Sequence, residues 1–409
     1  MKRSEALAYR ISAQQLDRAP ARRPITDAAI FDFGIQDTGR DGASWALVNR
    51  GVPVRDAAEL EANPDVALAW TLRAAPHYYR RSDLPDVLLA TSPLSDRDAA
   101  KRVIGADKPL KEAGVPTLTG LAEVATQMRH VVTRPMVKGE VSTQLTKRLD
   151  PPYLRYCGSC QATHSWEVPF RISALYAGLE LQPGTSPPVL HRIPDWPKRK
   201  PGPAPDPMAV PASLQPIRNY LRFLGPAKPT DVAAFLDSPV AEIKKHWPED
   251  AVEISVDGRR GWLLGEVNIE HDQELLRLLG GFDLFLQGKD RDLIVADATR
   301  HKELWPILGR PGAVLHGTEI IGTWRPKASG KQFTLRLSLW TALSKRSRSL
   351  RCDLSFAARQ SDGRVRSPAD QAVHPRRRLP GDCGRNVTTL AASSTLATFT
   401  KLANRELPA

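Results

Sequence analysis

The segment 216–263 constrains the fold most, because it predicts three short helices followed by a β-hairpin. Apolar residues at intervals of three and four predict helices over 216–224, 230–236 and 239–247. The stretch VEISVDGRRGWLL then alternates around an Asp-Gly pair, which is a strong hairpin signal. Three helices closed by a hairpin make a winged helix, which can bind DNA or can serve only to pack domains together.

A related pattern lies earlier in the chain. Residues 117–132 carry their apolar side chains on one helical face, and residues 138–149 predict a shorter helix with Val141, Leu145 and Leu149 inward. A packed helix followed by a short polar helix is how a helix-turn-helix presents side chains to a DNA groove, although many surface helices look the same. The short helix and the hairpin tip carry the residues that we predict to contact DNA: Lys138, Gln144, Lys147, Arg148, Arg259 and Arg260.

Length and proline content divide the chain into several units. A chain of 409 residues is too long for one ordinary core. Between the two helical patterns, the proline-rich stretch DWPKRKPGPAPDPMAVPASLQP predicts an extended, exposed connector that contains a domain boundary. From about residue 280 to 339, short alternating stretches predict a small sheet or a partly closed barrel.

The charge balance favours a polyanionic partner. Lys and Arg exceed Asp and Glu by 13, and nucleic acid is the commonest polyanion that a soluble protein binds. Residues 341–409 hold 13 basic and 5 acidic residues, a surplus of 8, so the rest of the chain carries only 13 − 8 = 5. A solvated basic surface therefore explains the charge of the folded part equally well.

Several absences predict a cytoplasmic protein. The charged first residues lack the apolar core of a signal peptide. No run approaches the roughly 18 apolar residues that a membrane span needs. Four cysteines in 409 residues do not form a disulfide framework.

The stretch WTLRAAPHYYRR is a second candidate for DNA contact. It places Arg73 and His77 four residues apart among tryptophan and tyrosine. Cations among aromatic rings suit phosphate contacts and base stacking. An aromatic core edge with solvated arginines fits the same pattern.

Two further groups raise the question of a metal. Cys157, Cys160 and His164 have Cys-x-x-Cys spacing, but a structural zinc site needs four ligands and no second pair follows. Zinc, a redox dithiol and two packed thiols beside a buried histidine all remain open, and the last is favoured. For Asp290 and Asp292, an ion-paired turn is favoured over a metal site. We therefore predict no metal and no cofactor.

The stretch DFGIQDTGRDGASWALVNRG sets Gln36 and Asp37 before an apolar helical run that starts at Ala43. An Asp ahead of a glycine-bounded turn often only caps the helix that follows. A Gln beside an Asp can instead hold a water for chemistry.

Several segments together resemble the AlkZ/YcaQ family of winged-helix DNA glycosylases. They lie between about residues 12 and 339 and are GIQDTGRDGASWALVNRG, WTLRAAPHYYRRSDLP, KGEVSTQLTKRL, CGSCQATHSWEVPFR, GLELQPGTSPPVL, NYLRFLGPAKPTDVAAFL, GGFDLFLQGKDRDLIVAD and GRPGAVLHGTEIIGTWRP. The resemblance implies an α+β fold in which tandem winged-helix units form a concave DNA-binding channel, with a small β-rich C-terminal subdomain. It also implies removal of alkylated purines from double-stranded DNA and, in some members, release of crosslinks made by DNA-alkylating natural products.

The patterns and the resemblance together predict the organisation of the chain. The predicted units are a first winged-helix-like unit with the catalytic motif (1–110), a second winged-helix unit (111–195), the proline-rich linker (196–213), a third winged-helix unit (214–270), the β-rich subdomain (271–344) and a tail (345–409). We expect a monomer.

The resemblance also assigns catalytic residues. The family motif is Gln-x-Gln or Gln-x-Asp with an apolar middle residue, and it implies that Gln36 positions a water while Asp37 or Asp32 assists. Gly34 stands where the first Gln of the motif is expected. This departure favours the alternative function, a winged-helix protein or regulator that binds DNA without cleaving it.

The end of the chain departs from the rest. The resemblance stops abruptly after FTLRLSLWTALS, and the following residues are dense in Arg, Ser and Pro with little periodicity. We predict that residues 345–409 are a disordered tail or the translation of a shifted reading frame.

Overall fold

The computed structural model describes residues 1–39, 41–267, 269–270, 272–329, 332–341 and 387–392, and it mixes helices and strands as predicted. The helices are α1 (Arg3–Ala13), α2 (Gly42–Val48), α3 (Ala57–Glu61), α4 (Leu84–Thr91), α5 (Asp96–Arg102), α6 (Asp107–Glu112), α7 (Thr117–Val131), α8 (Lys138–Thr146), α9 (Glu167–Tyr176), α10 (Pro216–Leu224), α11 (Pro229–Leu236), α12 (Val240–Lys245), α13 (Arg291–Ile294) and α14 (His301–Leu304). The strands are β1 (Ile35–Gln36), β2 (Val66–Trp70), β3 (Pro76–Arg80), β4 (Met136–Val137), β5 (Leu154–Cys157), β6 (Ala162–Ser165), β7 (Leu179–Gln182), β8 (Val189–Arg192), β9 (Val252–Val256), β10 (Arg259–Leu263), β11 (Leu276–Leu279), β12 (Gly312–His316), β13 (Glu319–Ser329), β14 (Gln332–Leu339) and β15 (Val387–Ala392). Among these helices, none has the length and apolarity that crossing a lipid bilayer requires.

A six-stranded sheet joins the first two predicted units. Its strand order is β1-β3-β2-β7-β8-β4, so that three strands from before residue 110 lie beside three strands from after it in one sheet. The junction is the antiparallel pairing of Leu68 with Leu181. Every residue of β2 is buried, as expected for a strand that has neighbours on both edges and helices against its face. This sheet holds the short strand β1, which ends at Gln36.

The predicted helices and the predicted Asp-Gly hairpin are present, and a further hairpin follows α8. In α8 the apolar residues Val141 and Leu145 are buried, and the hairpin β5–β6 follows the helix along the chain. Helices α10, α11 and α12 are followed by the hairpin β9–β10, whose first pair is Arg259 with Val256. The Asp-Gly turn between β9 and β10 has positive φ at both residues, the conformation that makes this pair favourable.

Helix α1 packs against the C-terminal part of the chain. Its residues Leu7 and Ile11 share one core with Phe285 and Leu315, although the sequence assigns them to the unit 1–110. An ion pair of 2.5 Å between Arg10 and Asp290 fixes this contact. A second core runs continuously from the N-terminal third to residue 284. The domain limits therefore remain a prediction, because the predicted units share their cores.

The connector at 196–213 differs from its prediction. It forms no α-helix or strand, although a 3₁₀ turn (Ala212–Leu214) begins at its end, and it is not fully exposed, because Gly202 and Ala204 are buried. The amide of Gly202 donates to the carbonyl of Tyr176, and that of Ala204 donates to the hydroxyl of Ser92. Buried backbone amides need such partners, so the segment lies against the body of the protein.

The C-terminal sheet has the strand order β11-β12-β13-β14-β15. Its last strand, residues 387–392, lies within the tail for which we predict disorder, and it pairs antiparallel with β14. The sequence VTTLAA has β-branched residues that suit a strand. The disorder of the tail stays a prediction. The rest of the predicted tail lies outside the described residues, and the shifted reading frame stays a prediction.

Candidate active site

Gln36 lines a cleft with a volume of about 140 Å³. The strand β1 brings Gln36 to the cleft, the turn between β2 and β3 brings Arg73, and α11 brings Phe235. The remaining wall comes from the segment between β11 and β12: Phe282, Leu286, Gln287, Gly288, Lys289, Arg291, Trp305 and Arg310. The cleft therefore joins residues that are far apart in the sequence.

The carboxamide of Gln36 is held in one orientation. Its Nε2 donates to the hydroxyl of Thr38 at 2.8 Å, and Nη2 of Arg73 donates to its Oε1 at 3.0 Å. Because a guanidinium can only donate, the amide oxygen has to face Arg73. The second lone pair of that oxygen can accept a hydrogen bond from a water in the cleft.

Arg73 links two carboxamides. Besides Gln36 it donates to Oε1 of Gln287, and its guanidinium lies 4.2 Å from the ring centre of Phe235. Burial lowers the pKa of Arg73 to about 10, so it stays charged at neutral pH. Both Arg73 and Ala74 have positive φ, near 55°. Non-glycine residues adopt this conformation at a cost and are enriched at functional sites.

The turn that carries Gln287 is anchored by a buried ion pair. Asp283 accepts two hydrogen bonds from Arg50, at 2.8 and 2.9 Å, and one from the amide of Phe285. Both charged side chains are almost fully buried. Removal of one partner from such a pair is strongly destabilising. The pair therefore fixes the start of the 3₁₀ turn Leu284–Gln287.

Three further cations face the cleft. Burial lowers the pKa of Lys289 and of Arg310. Arg291 lies 5.1 Å from the ring centre of Trp305. Cations held against aromatic rings suit phosphates and nucleobases. Sequence reasoning assigned Lys289 and Arg291 only to an ion-paired turn. That turn exists, because Asp290 pairs with Arg10, but the cations beside it face the cleft.

Asp37 directly follows the last residue of β1 and does not line the cleft. Its carboxylate accepts a hydrogen bond of 3.4 Å from the amide of Ala43 at the start of α2. Burial raises the pKa of Asp37 to about 6, and the nearby charges of Glu61 and Asp41 add to this. The contact with Ala43 is the helix cap that the sequence offered as one alternative.

Asp32 is held in ion pairs. Its two carboxylate oxygens accept hydrogen bonds from Arg80 at 2.6 Å and from Arg222 at 2.8 Å. It does not line the cleft beside Gln36. Both carboxylate oxygens are thus occupied by arginines, and the assistance of Asp32 at the reacting centre stays a prediction.

The absence of a side chain at Gly34 has a local cause. Gly34 has a φ of +85°, which glycine adopts readily and other residues rarely do. The ring of Tyr79 covers its α-carbon. The tyrosine hydroxyl lies 2.9 Å from the hydroxyl of Thr71. The space for a side chain at position 34 is therefore filled by a tyrosine from β3.

The predicted DNA contacts separate into buried and exposed residues. His77 is 3 % exposed, and its Nδ1 contacts the Thr71 hydroxyl and the Ala75 carbonyl. Burial, with the charge of Arg73, lowers the pKa of His77 to about 3, so it is neutral and cannot reach a phosphate. Lys138 pairs with Glu167 at 2.7 Å. The exposed predicted contacts are Gln144 on α8, Lys147 and Arg148 directly after it, and Arg259 and Arg260 on the hairpin β9–β10.

Comparison with known proteins gives two matches. A model of the family described as DNA glycosylase AlkZ-like matches residues 33–360. The structure of the Streptomyces sahachiroi DNA glycosylase AlkZ superposes with a TM-score of 0.65, covering 88% of this chain and 97% of that one, at 17% sequence identity. At that identity the likeness shows a shared fold. No curated protein matches. The family match extends beyond residue 344, where we expected the resemblance to end.

Proposed function

Because the chain belongs to the family of AlkZ-like DNA glycosylases, which are hydrolases, we propose that it hydrolyses the N-glycosidic bond of alkylated purines in double-stranded DNA. One observation carries this proposal. Gln36, which the resemblance assigns to the catalytic motif, has a fixed carboxamide in a cleft lined by cations and aromatic rings.

The chemistry requires little of the protein. Alkylation at N7 makes guanine a cationic leaving group, so the bond from the sugar C1′ to N9 breaks with its electron pair on N9, which neutralises the base. A water oxygen bonds to C1′ and releases a proton to solvent. The oxygen of Gln36 accepts a hydrogen bond from this water and turns its partial negative charge toward the positive sugar. Because the water attacks as a neutral molecule and loses its proton afterwards, no general base is needed to deprotonate it first.

Gln287 supplies a second carboxamide. Gly34 offers no side chain where the motif has its first Gln, but Gln287 lines the same cleft and shares Arg73 with Gln36. Its Nε2 donates to the carbonyl of Phe282 at 2.6 Å, which fixes it in turn. In this proposal the pair Gln36 and Gln287 takes the role of the two polar residues of the motif.

Phosphates and the DNA duplex are held by the cations. Arg73, Lys289, Arg291 and Arg310 neutralise the phosphates of the reacting nucleotide, since cations form strong charge-assisted hydrogen bonds with phosphate oxygens. The exposed faces of α8 and of the hairpin β9–β10 contact the duplex. In this proposal they belong to two winged-helix units that line a concave channel, and the protein acts as a monomer. Such contacts release counterions, so the affinity falls as salt rises.

The test is release of N7-methylguanine from duplex DNA, measured as abasic sites. We expect release by the wild type and loss of release in Gln36→Ala, with unchanged DNA binding. Gln182→Ala is the matched control, because Gln182 is an exposed glutamine at the end of β7. Wild-type release in Gln36→Ala would remove Gln36 from the reacting centre. Binding without release by the wild type would support the alternative that Gly34 suggested, a DNA-binding protein without glycosylase activity.

A further inference from the structure

The hairpin β5–β6 brings together two cysteines and a histidine. In the part of the chain that the structure describes, Cys157, Cys160 and His164 each offer a ligand atom, and these atoms lie within 4.8 Å of one another. The sequence favoured two packed thiols beside a buried histidine. That expectation is wrong, because Cys160 is exposed and the other two are partly exposed. The cluster therefore does not belong to an apolar core.

The backbone of the hairpin explains this arrangement. Arg155 pairs with His164, so that Cys157, two residues further along β5, lies on the same face of the hairpin as His164. Cys160 lies in the turn, and the following residue, Gln161, has a φ of +48°. A tight turn that ends in a left-handed residue folds the second cysteine back toward the first. The side chains of the three residues therefore converge on one point.

The imidazole of His164 is already oriented. Its Nδ1 lies 3.1 Å from the carbonyl oxygen of Ser165, and a carbonyl can only accept, so Nδ1 carries the hydrogen. The tautomer that follows leaves a lone pair on Nε2. Metal-binding histidines usually have this arrangement, in which a backbone carbonyl holds the nitrogen that does not bind the metal.

We propose that Cys157, Cys160 and His164 bind one Zn²⁺ ion at the tip of this hairpin. Two thiolates and an imidazole are ligands that zinc prefers, and a tetrahedral ion keeps one position for water. This reverses our sequence expectation that the chain binds no metal. The site lies outside the cleft that Gln36 lines, and the proposal does not depend on the glycosylase activity.

The proposed ion has a structural consequence for the neighbouring helix. The strand β6 packs against α8, whose C-terminal end carries the exposed residues Gln144, Lys147 and Arg148 on its last turn and just beyond it. The same hairpin exposes Tyr156, which is 67% accessible to solvent. A metal at the tip would hold this hairpin in a fixed position beside that face.

The test uses the purified full chain, loaded with Co²⁺ as a spectroscopic substitute for Zn²⁺. Tetrahedral Co²⁺ with thiolate ligands gives intense visible bands and a sulfur-to-metal band in the near ultraviolet. We expect these bands at one Co²⁺ per chain, and their bleaching when one equivalent of Zn²⁺ is added. Cys157→Ser, Cys160→Ser and His164→Ala should each weaken Zn²⁺ binding by more than the roughly 10- to 100-fold that loss of an outer-shell partner costs.

Control variants identify the ligands. Cys352 and Cys383 are the other two cysteines of the chain, and the double variant Cys352→Ser/Cys383→Ser should keep the spectrum. His191→Ala, on β8, should also keep it. Circular dichroism checks that each variant is folded, which we expect because the cluster lies at an exposed hairpin tip. Octahedral Co²⁺ bands without the sulfur band, a Cys157–Cys160 disulfide that excludes the metal, or loss of the spectrum in the Cys352/Cys383 variant would overturn the proposal.

Discussion

Tyr79 lies so close to Gly34 that a β-carbon on Gly34 would come within 2.5 Å of the Cζ and Oη atoms of the tyrosine. Real β-carbons do not approach other atoms this closely, and the φ of +85° already excludes most side chains. Position 34, which the resemblance makes the first position of the family motif, therefore holds a glycine that the ring of Tyr79 covers.

Gly34→Ala should lower the free energy of unfolding by about 2–5 kcal/mol, since a left-handed residue costs about 1–2 kcal/mol and overpacking about 1–3. Gly39→Ala is the matched control, because Gly39 has a φ of +84° but no atom within 4 Å of an added β-carbon. It should cost only about 1–2 kcal/mol. Chemical denaturation measures both. Equal losses would mean that Tyr79 moves aside freely.

The local elements followed from the sequence, because each depends on a short periodic pattern. The buried face of α8 and the Asp-Gly hairpin β9–β10 both have the predicted form. Each arises from residues that are close together in the chain, where propensity and spacing decide the outcome.

The cleft did not follow from the sequence, because it joins distant segments. Gln36 and Arg73 are 37 residues apart, and Arg73 and Gln287 are 214 apart. No local pattern marks these hydrogen bonds. The sequence singled out Gln36 through a motif, and it singled out Arg73 as a phosphate contact, but nothing in it links either residue to Gln287. For the same reason the burial of His77 was missed, since neighbouring strands cover it.

Arg73→Lys should separate positioning from charge. A lysine keeps the positive charge but replaces the rigid planar guanidinium, whose Nη2 donates to both Gln36 and Gln287, with a flexible ammonium. We expect base release to fall roughly 10- to 100-fold, as for a misplaced reacting group, while DNA affinity stays close to that of the wild type. Single-turnover release and equilibrium binding measure the two effects.

Arg218→Lys is the control for that substitution, because Arg218 pairs with Asp250 on the surface. It should change neither quantity. If Arg73→Lys weakens DNA binding and leaves single-turnover release unchanged, then Arg73 acts on affinity and not on the orientation of Gln36.

The exposed face of α8 should determine part of the salt dependence of DNA binding. Lys147→Ala and Arg148→Ala should each weaken binding to all duplex sequences and reduce the slope of log affinity against log salt by about 1. Lys108→Ala is the control, since that lysine is 80% exposed on α6, outside the predicted contacts. Salt titrations measure these slopes. Equal slopes for the three variants would exclude α8 from the interface.

Asp37→Asn should raise stability at neutral pH and not in acid. The pKa of Asp37 is raised to about 6 in the folded protein, above the value of an unfolded aspartate, because the carboxylate is partly buried near Glu61 and Asp41. Between about pH 4 and pH 6 the folded state therefore binds more protons than the unfolded state, so wild-type stability falls as the pH rises through this window. Asparagine carries no charge and can still cap α2. The variant should equal the wild type below about pH 4 and exceed it by about 1 kcal/mol above pH 6, after allowance for solvent screening. Thermal unfolding at several pH values measures this difference.

Asp250→Asn is the control and should show the opposite sign, because Arg218 lowers the pKa of Asp250. Base release by Asp37→Asn should match the wild type, since Asp37 does not line the cleft beside Gln36. A loss of release in a variant that gains stability would instead return Asp37 to the reacting centre.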